Sequence, residues 1–375
     1  MDKKNKNPNV PNLRFTNNQL KDFKIVDICK LKQGNQYDLK QQFTEEKSDL
    51  KRFIRIIDYT QKTNDIRYVY SNGSENYVDC TDVVVVRYGA SAGYVGRGIN
   101  GIIANNLFTI RPINSALLNK SYLYHYLNAP VIQKQLNNTQ SSGMPALNFQ
   151  TINNLHILLP EYQEQRQIAV FLDKIDERIQ TQIKIIDDYN SLKTGIYNCM
   201  FKENYADYKL KQLAYIVKGD QINNDQLLSN GSYYMMNGGA SPSGYLDSYN
   251  VSENTISISE GGNSCGYVQF NSSPFWSGGH CYTIQNVNSA LIENKYLYHY
   301  LKYKEKEIMN LRIGTGLPNI QKKDLENFTI LVPSLLIQRK NLALFEMLDE
   351  KISILNEELA NLQKQKKYLL CNMFI

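Results

Sequence analysis

One long internal repeat constrains the fold of this chain more than any other sequence feature. Residues 122–127 and residues 296–301 both read Tyr-Leu-Tyr-His-Tyr-Leu, at an offset of 174. Further matches follow at an offset of 173: Gly93-Tyr94-Val95 with Gly266-Tyr267-Val268, and Asp176-Glu177-Arg178-Ile179 with Asp349-Glu350-Lys351-Ile352. The 375 residues therefore form two copies of one unit, and we expect the two copies to fold alike.

The offset between the copies changes once along the chain. Lys24 and Gly34 align with Lys209 and Gly219 at an offset of 185, whereas the alignment from Val83 onward has an offset of 173. The first copy therefore carries an insertion between Gly34 and Val83.

Each copy has two parts of different composition. Residues 1–159 and 206–332, here called the first and second head, are rich in Gly, Asn, Ser, Tyr and short β-branched runs. This composition is typical of a mixed, strand-rich domain. Residues 160–205 and 333–375, here called the first and second spacer helix, each begin at a proline and contain no further one, which indicates a long helix.

Both spacer helices carry apolar residues at alternating spacings of three and four, which is the pattern of a coiled-coil seam. The seam residues are Leu172, Ile175, Ile179, Ile186 and Ile196 in the first helix, and Phe345, Leu348, Ile352, Leu355, Leu359, Leu362 and Leu369 in the second. A long helix with a narrow apolar stripe must pack against another element. We predict that the two helices pair with each other; the alternative is that each lies on its own head.

The predicted fold class is α+β, with two similar globular domains, each followed by a long helix. The chain enters the second head through the first helix and has to return through the second helix. We therefore predict an antiparallel coiled coil with a head at each end and a pseudo-twofold relation between the copies. Such a coiled coil would hold two similar heads at a fixed separation.

Charge is distributed unevenly between the two heads. The whole chain has a formal net charge of +6. Residues 1–160 carry 20 basic and 12 acidic side chains, whereas residues 206–332 carry 10 and 11. By charge alone, the first head resembles an electrostatic binder of nucleic acid. The second head must bind weakly by itself or read its partner through polar groups.

Arg, Asn, Gln, Ser and Tyr side chains can read base edges, and both heads are rich in them. The candidate DNA-binding residues are Arg52, Arg55, Arg67, Arg87, Tyr88, Ser91 and Arg97 in the first head, and Asn237, Tyr245, Asn263, Ser264, Trp276 and His280 in the second. The matched loops 88–91 and 261–264 share a glycine, but the residues that flank it differ between the copies, as two different half-sites would require. For any single residue, the alternative is an ordinary solvated surface position.

The sequence contains no GxxxxGK[ST] or HExxH motif, and we expect no catalytic residue in this chain. His280, Cys281 and Cys265 lack a fourth ligand for zinc, and no metal is expected. His125 and His299 are expected to be structural. The six cysteines form no CxxC pair, and no apolar run could span a bilayer; both features favour a cytoplasmic protein without membrane contact.

Four segments resemble the specificity (S) subunit of type I restriction–modification systems. They are residues 10–15 (Val-Pro-Asn-Leu-Arg-Phe), 52–58 (Arg-Phe-Ile-Arg-Ile-Ile-Asp), 159–168 and 254–268. The resemblance covers the chain from end to end. One position departs from the repeat, because Ile337 stands where the first copy has Glu164, and this change predicts altered helix capping or partner docking.

The resemblance implies that each head is a target recognition domain for one half of a split, asymmetric double-stranded DNA sequence. It also implies that the helices set the gap between the halves and dock two modification (methyltransferase) subunits. Those subunits would use S-adenosylmethionine to methylate adenine, and restriction subunits would use ATP with Mg to translocate and cut DNA. No cofactor is implied for this chain, which lacks the Asn-Pro-Pro-aromatic motif of an amino-methyltransferase.

Two other functions stay open at the level of sequence. The chain could be a bilobed coiled-coil protein adaptor without nucleic-acid binding, which the near-neutral second head favours. It could also be the recognition subunit of another class of methyltransferase or nuclease. DNA affinity that falls steeply with salt would separate recognition from the adaptor function, and neighbouring genes would identify the class.

Overall fold

A computed structural model of the chain describes residues 11–16, 19–61, 63–137, 145–201, 205–314, 316 and 318–374. Val10 of the segment 10–15 lies outside the described residues. The chain divides into two compact units: unit 1 consists of residues 1–183 and 357–375, and unit 2 of residues 184–356. Each unit thus contains one head, the first part of one long helix and the end of the other.

Unit 1 combines a twisted arrangement of short strands with helices. Its strands are β1 (Lys21–Lys24), β2 (Cys29–Gln33), β3 (Leu50–Ile54), β4 (Arg67–Tyr70), β5 (Tyr77–Val78), β6 (Val83–Val86), β7 (Val95–Gly96), β8 (Gly101–Ile103), β9 (Leu107–Pro112) and β10 (His156–Leu159). Its helices are α1 (Ile25–Ile28), α2 (Ile56–Thr60), α3 (Lys120–Leu127), α4 (Pro130–Asn137), α5 (Phe149–Asn153) and the first part of α6 (Tyr162–Met200). The sheets have the orders β2-β9-β6-β7 and β4-β3-β8-β5, and β1 pairs with β10.

Unit 2 repeats this plan. Its strands are β11 (Ala206–Lys209), β12 (Tyr215–Lys218), β13 (Tyr233–Met236), β14 (Gly244–Leu246), β15 (Thr255–Ser259), β16 (Val268–Asn271), β17 (Trp276–Ser277), β18 (Cys281–Gln285) and β19 (Thr329–Val332). Its helices are α7 (Leu210–Leu213), α8 (Asn294–Tyr303), α9 (Glu305–Met309), α10 (Lys322–Glu326) and the first part of α11 (Leu335–Met373). The sheet β12-β18-β15-β16 matches β2-β9-β6-β7 strand for strand, which confirms the predicted repeat and the α+β class.

Part of the insertion in the first copy lies in the hairpin between β3 and β4. Phe53 faces Arg67 across this hairpin, whereas Met235 faces Gly244 across the equivalent hairpin of the second head. The additional residues of the first head form α2. The predicted position of the insertion, between Gly34 and Val83, is confirmed.

The repeated Tyr-Leu-Tyr-His-Tyr-Leu segments are helical in both heads, within α3 and α8, as predicted. Residues four apart lie on one helix face, so Tyr122 and Tyr126 both enter the core of unit 1. Their hydroxyls donate to the carbonyl oxygens of Leu158 and His156 at 3.1 and 2.7 Å. Buried phenols need such partners, so the two tyrosines fix α3 against β10.

The two long helices, α6 and α11, have 39 residues each and a length of about 58 Å. Within unit 1, Asp176 of α6 forms an ion pair with Lys366 of α11. Gln182 Nε2 of α6 donates to Glu358 Oε2 of α11 at 3.0 Å. Residue numbers rise along α6 as they fall along α11, so the segments are antiparallel.

Unit 2 shows the same antiparallel pairing. Lys193 of α6 forms an ion pair with Asp349 of α11. One turn further along α6, the ring of Tyr197 lies edge-on to that of Phe345, with 4.8 Å between the centroids. The predicted antiparallel pairing of the helices is therefore confirmed within each unit.

The seam residues face away from solvent along both helices. The buried ones are Leu172, Ile179, Ile186, Phe345, Leu348 and Leu355. The partly buried ones are Ile175, Ile196, Ile352, Leu359, Leu362 and Leu369. The alternation of three and four thus corresponds to one continuous face of each helix.

The aromatic residue that directly follows each long helix packs into the core of a head. In unit 1, Phe374 packs against Tyr122 and Tyr126, with ring centroids 5.3 and 6.1 Å apart. In unit 2, Phe201 packs against Tyr300 with a centroid distance of 5.1 Å. Phe374 and Phe201 are 3% and 6% exposed, so both rings belong to the head cores.

Glu164 at the start of α6 anchors the N-terminal segment of unit 1. Its buried carboxylate accepts hydrogen bonds from Arg14 Nη2 at 2.7 Å and from the backbone N–H groups of Phe15 and Thr16 at 3.2 Å. Burial by itself would raise the pKa of Glu164, but the hydrogen bonds from Arg14 and Thr16 outweigh it and lower the pKa. Ile337 at the equivalent position of α11 is 37% exposed and cannot accept such bonds.

Replacing Phe345 with alanine should destabilise unit 2 strongly. Its side chain is fully buried between α6 and the head, and Phe→Ala changes in cores cost about 3–5 kcal/mol. We expect a loss of that size in the free energy of unfolding, measured by urea denaturation. Met347→Ala, at a position of α11 that is 65% exposed, is the control and should change stability little. A loss for Phe345→Ala as small as the loss for Met347→Ala would show that Phe345 is not a core residue.

Candidate nucleic-acid interface

The two heads hold their tip loops with the same backbone hydrogen bonds. Gly89 N–H donates to Pro145 O at 2.9 Å in the first head, and Gly262 N–H donates to Pro318 O at 3.1 Å in the second. Gly89 and Gly262 have φ values of +91° and +76°, which glycine adopts without strain. The sequence thus folds the loops 88–91 and 261–264 on one scaffold, while the side chains on them differ.

Arg87 is the central candidate side chain of the first head's tip. Its Nη1 donates to Gln33 Oε1 at 2.6 Å. Its guanidinium lies 4.2 Å from the ring centroid of Phe149 and 4.8 Å from that of Tyr88. Stacking of this kind holds an arginine in one orientation, so Arg87 is positioned at the loop that also carries Ser91.

A cleft of about 580 Å³ opens at the corresponding position of the second head. It brings together the predicted residues Asn237 and His280, whose backbone N–H donates to Asn237 Oδ1 at 3.0 Å. Lys218 and Glu260 also line it, and their Nζ and Oε1 atoms are 2.6 Å apart. The cleft therefore combines donors and acceptors on a glycine-rich rim.

The other predicted residues of the second head lie on different elements. Asn263 is exposed in the tip loop, next to partly buried Ser264. Tyr245 on β14 is 36% exposed. Trp276 on β17 is partly buried, and its Nε1 donates to Asp220 O at 3.3 Å. None of these four side chains lines the cleft that holds Asn237 and His280.

Arg55 and Arg67 belong to an ion-pair network inside the inserted hairpin. Arg55 Nη1 lies 3.0 Å from Asp65 Oδ2, and Arg67 Nε lies 2.7 Å from Asp65 Oδ1. Hydrogen bonds from Arg67 and Arg55 lower the pKa of Asp65. Asp58 pairs with Arg55 at 3.3 Å and with Arg52 at 3.7 Å. These contacts hold the hairpin, and DNA contact by the three arginines stays a prediction.

Arg97 lies at the junction of the first head and α6. Its Nη2 is 2.5 Å from Asp173 Oδ1, and its guanidinium lies 3.9 Å from the ring centroid of Tyr124. His125, which is fully buried, also meets Asp173, with 2.7 Å between Nε2 and Oδ1. Burial lowers the pKa of His125 despite that carboxylate. Arg97 thus joins head and helix in unit 1, and its predicted DNA contact is untested.

Sequence reasoning missed Gln33, Lys218 and Glu260. Acidic residues repel phosphates, so a search for phosphate contacts does not select Glu260, and charge counted by segment does not single out Lys218. The repeat could have found all three. At the offsets of 185 and 173, Gln33 aligns with Lys218, and Arg87 aligns with Glu260.

The described residues form neither a metal site nor a membrane span. In the described ranges, no three His, Cys, Asp or Glu side chains come together in a way that could hold a metal ion. The helices described here include none that is both long and apolar enough to cross a membrane. His299 is buried, and burial lowers its pKa to about 3; its Nδ1 lies 2.8 Å from the hydroxyl of Tyr197.

The known proteins that this chain is similar to are type I specificity subunits. A family model described as "Type I restriction modification DNA specificity domain" matches residues 17–187 and 202–364. A putative type I specificity subunit of Mycoplasma pneumoniae is 34% identical over 155 residues, which is 41% of this chain and 41% of that protein. The putative type I restriction enzyme MjaX specificity subunit of Methanocaldococcus jannaschii is 26% identical over 92% of this chain and 82% of its own length.

The fold of this chain is also similar to that of a protein of known crystal structure. The crystal structure of a type I restriction-modification system S subunit from M. genitalium superposes with a TM-score of 0.68 at 20% identity. The match covers 98% of this chain and 99% of that one. The two chains share their fold.

Asp173→Asn should destabilise unit 1 in a pH-dependent way. Burial would raise the pKa of Asp173, but hydrogen bonds from His125, Arg97 and Ser121 lower it well below the usual value. A carboxyl with a lowered folded pKa contributes stability above the unfolded pKa of about 3.9 and loses it at lower pH. We expect a loss of about 1–3 kcal/mol at pH 7 that shrinks at about pH 3.

Urea unfolding at the two pH values measures this difference. Asp49→Asn, at an exposed position of the first head, is the control and should change little at either pH. A loss for Asp173→Asn that is equal at both pH values would contradict a role for the charged carboxylate.

Proposed function

The chain belongs to the type I restriction modification DNA specificity family, and we propose that it is the DNA-recognition subunit of a type I restriction–modification complex. One observation carries the proposal: two heads share a backbone scaffold but carry different side chains at matched tips. The Gln33–Arg87 pair of the first head and the Lys218–Glu260 pair of the second show this difference most clearly. A protein whose two heads recognise the same DNA sequence would need no such difference between the heads.

Each head reads one half of a bipartite, asymmetric double-stranded DNA sequence. In the first head, Arg87 can donate two hydrogen bonds to guanine, the commonest specific contact in the major groove. The excess of basic residues in this head supplies contacts with phosphates, which position a protein on DNA without specifying sequence. The near-neutral second head contributes specificity through polar groups in its cleft.

The long helices also offer surface for protein partners. At the start of α6, the exposed side chains of Tyr162, Val170 and Phe171 line a cleft of about 700 Å³ together with Phe15. On α11, Leu336 and Met347 are 66% and 65% exposed. Large exposed apolar side chains are typical of interaction sites. We assign these two helix faces to two modification subunits, one on each face.

Catalysis belongs to those partners in this proposal. Because the sequence lacks the motifs of a methyltransferase or an ATPase, S-adenosylmethionine would be held by the modification subunits. ATP with Mg would be held by restriction subunits that join the same complex. This chain would direct methylation of adenine, and restriction, to its target without taking part in the chemistry.

Selection from a randomised duplex library tests the proposal. The full chain, co-expressed with its modification subunit, should enrich one motif made of two defined halves and a fixed gap. Its affinity should fall steeply between about 50 and 200 mM salt, because phosphate contacts release counterions. No enriched motif and no dependence on salt would instead favour the protein adaptor, to which the near-neutral second head also points.

Arg87→Ala should relax recognition of the half read by the first head alone. Loss of a bidentate contact with guanine costs about 1–3 kcal/mol, or roughly 5- to 150-fold. Competition binding with single-base variants of the selected motif measures the loss at each position. Lys134→Ala, an exposed basic residue of the same head, is the control and should lower affinity uniformly without changing the motif. A loss confined to the other half would show that the head is wrongly assigned.

A further inference from the structure

The two heads carry opposite charges at one equivalent backbone position. In the first head, Arg87 follows β6 and bonds to Gln33 at the end of β2; in the second, Glu260 follows β15 and bonds to Lys218 at the end of β12. Each pair joins its side chains at 2.6 Å. The scaffold therefore presents a cation in one head and a carboxylate in the other.

The carboxylate of Glu260 is nine-tenths buried, with 10% of its side chain exposed. One oxygen, Oε1, accepts hydrogen bonds from Lys218 Nζ at 2.6 Å and from the Tyr282 hydroxyl at 3.0 Å. The other oxygen, Oε2, accepts no hydrogen bond among the described residues. It lies 3.7 Å from Nδ1 of His280, whose side chain is 62% exposed at the rim of the cleft.

A buried carboxylate oxygen without a donor is costly, and here it belongs to a side chain that lines an open cleft. Burial, and then the Glu260 charge, raise the pKa of Tyr282, so its hydroxyl stays a donor to Oε1. Lys218 is 51% exposed and can donate further hydrogen bonds. At the wall of the cleft, one carboxylate thus combines a buried acceptor without a partner, Oε2, with a second oxygen that is paired with the half-exposed donor Lys218.

We propose that Glu260 Oε2 accepts a hydrogen bond from the exocyclic N4 amino group of a cytosine in the second half-site, while Lys218 donates to the guanine paired with it. This inference rests on the proposed function and names the base pair that its second head reads. In the major groove, cytosine presents the N4 donor, and its guanine presents the O6 and N7 acceptors beside it.

The same chemistry disfavours adenine as the partner of Glu260. Adenine presents its N6 amino group next to the N7 acceptor. A carboxylate cannot donate to N7, whereas an Asn or Gln amide pairs with both atoms. Glu260 therefore fits the edge of a C·G pair better than that of an A·T pair.

Glu260→Gln tests the assignment in the full chain, co-expressed with its modification subunit. The amide keeps an oxygen for Lys218 and Tyr282 but places N–H groups where Oε2 lies. We expect the preference for cytosine over the other bases to fall about 10-fold or more at one position of the second half, with the first half unchanged. Selection from a randomised duplex library, followed by competition binding with single-base variants, measures this change.

Two further variants accompany this test. Glu253→Gln removes the same charge from an exposed loop of the second head and should leave the motif unchanged. The double variant Lys218→Gln with Glu260→Arg copies the first head's pair, and should replace cytosine by guanine on the same strand at the affected position. Thermal melting verifies that each variant folds. If Glu260→Gln folds poorly, the single variant Lys218→Gln tests the same position of the motif.

The outcomes separate this inference from the proposed function. A wild-type complex that selects no motif overturns both. A wild-type complex that selects a two-part motif, together with a folded Glu260→Gln variant that leaves the second half intact, overturns the inference alone. An affected position occupied by an A·T pair also overturns it, because the reading of cytosine would then be wrong.

Discussion

The structure depends on aromatic side chains at the ends of the two long helices. Phe374 and Phe201 enter the cores of the two heads and pack against the tyrosines of the repeated helical segment. The core of the first head includes Phe374 from the far end of the chain, and the core of the second head includes Phe201, which lies just before that head in the sequence. Burying such a ring contributes several kcal/mol, which ties the folding of each head to the antiparallel pairing within its unit.

This constraint explains which parts of the repeat are alike and which differ. The tyrosines of α3 and α8 and the backbone bonds of Gly89 and Gly262 determine the scaffold, and they recur in both copies. The tip side chains Arg87 and Glu260 each contact one ring at the edge of a core, Phe149 and Tyr282, but are not themselves part of the hydrophobic clusters. A cation can therefore replace a carboxylate there, as between Arg87 and Glu260, without changing the fold. Recognition can vary while the scaffold is kept.

The sequence predicted the repeated elements well because their signals are periodic. The alternation of three and four along α6 and α11 and the six-residue repeat require only counting. It did not show that Arg55 and Arg67 pair with Asp65 or that Arg97 pairs with Asp173, since these partners are distant or lie in an insertion. The repeat places Glu260 opposite Arg87, but the burial of Glu260 and its unpaired oxygen appear only in three dimensions.

We propose that this chain directs a modification complex to one two-part DNA sequence. Single-molecule sequencing of genomic DNA for methyladenine, in cells that supply the modification subunit, tests it most directly. Deleting the gene for this chain should abolish methylation at one split motif, and restoring the gene should return methylation to both halves together. An unchanged methylation pattern, with the chain shown to be expressed beside an active modification subunit, would contradict the account.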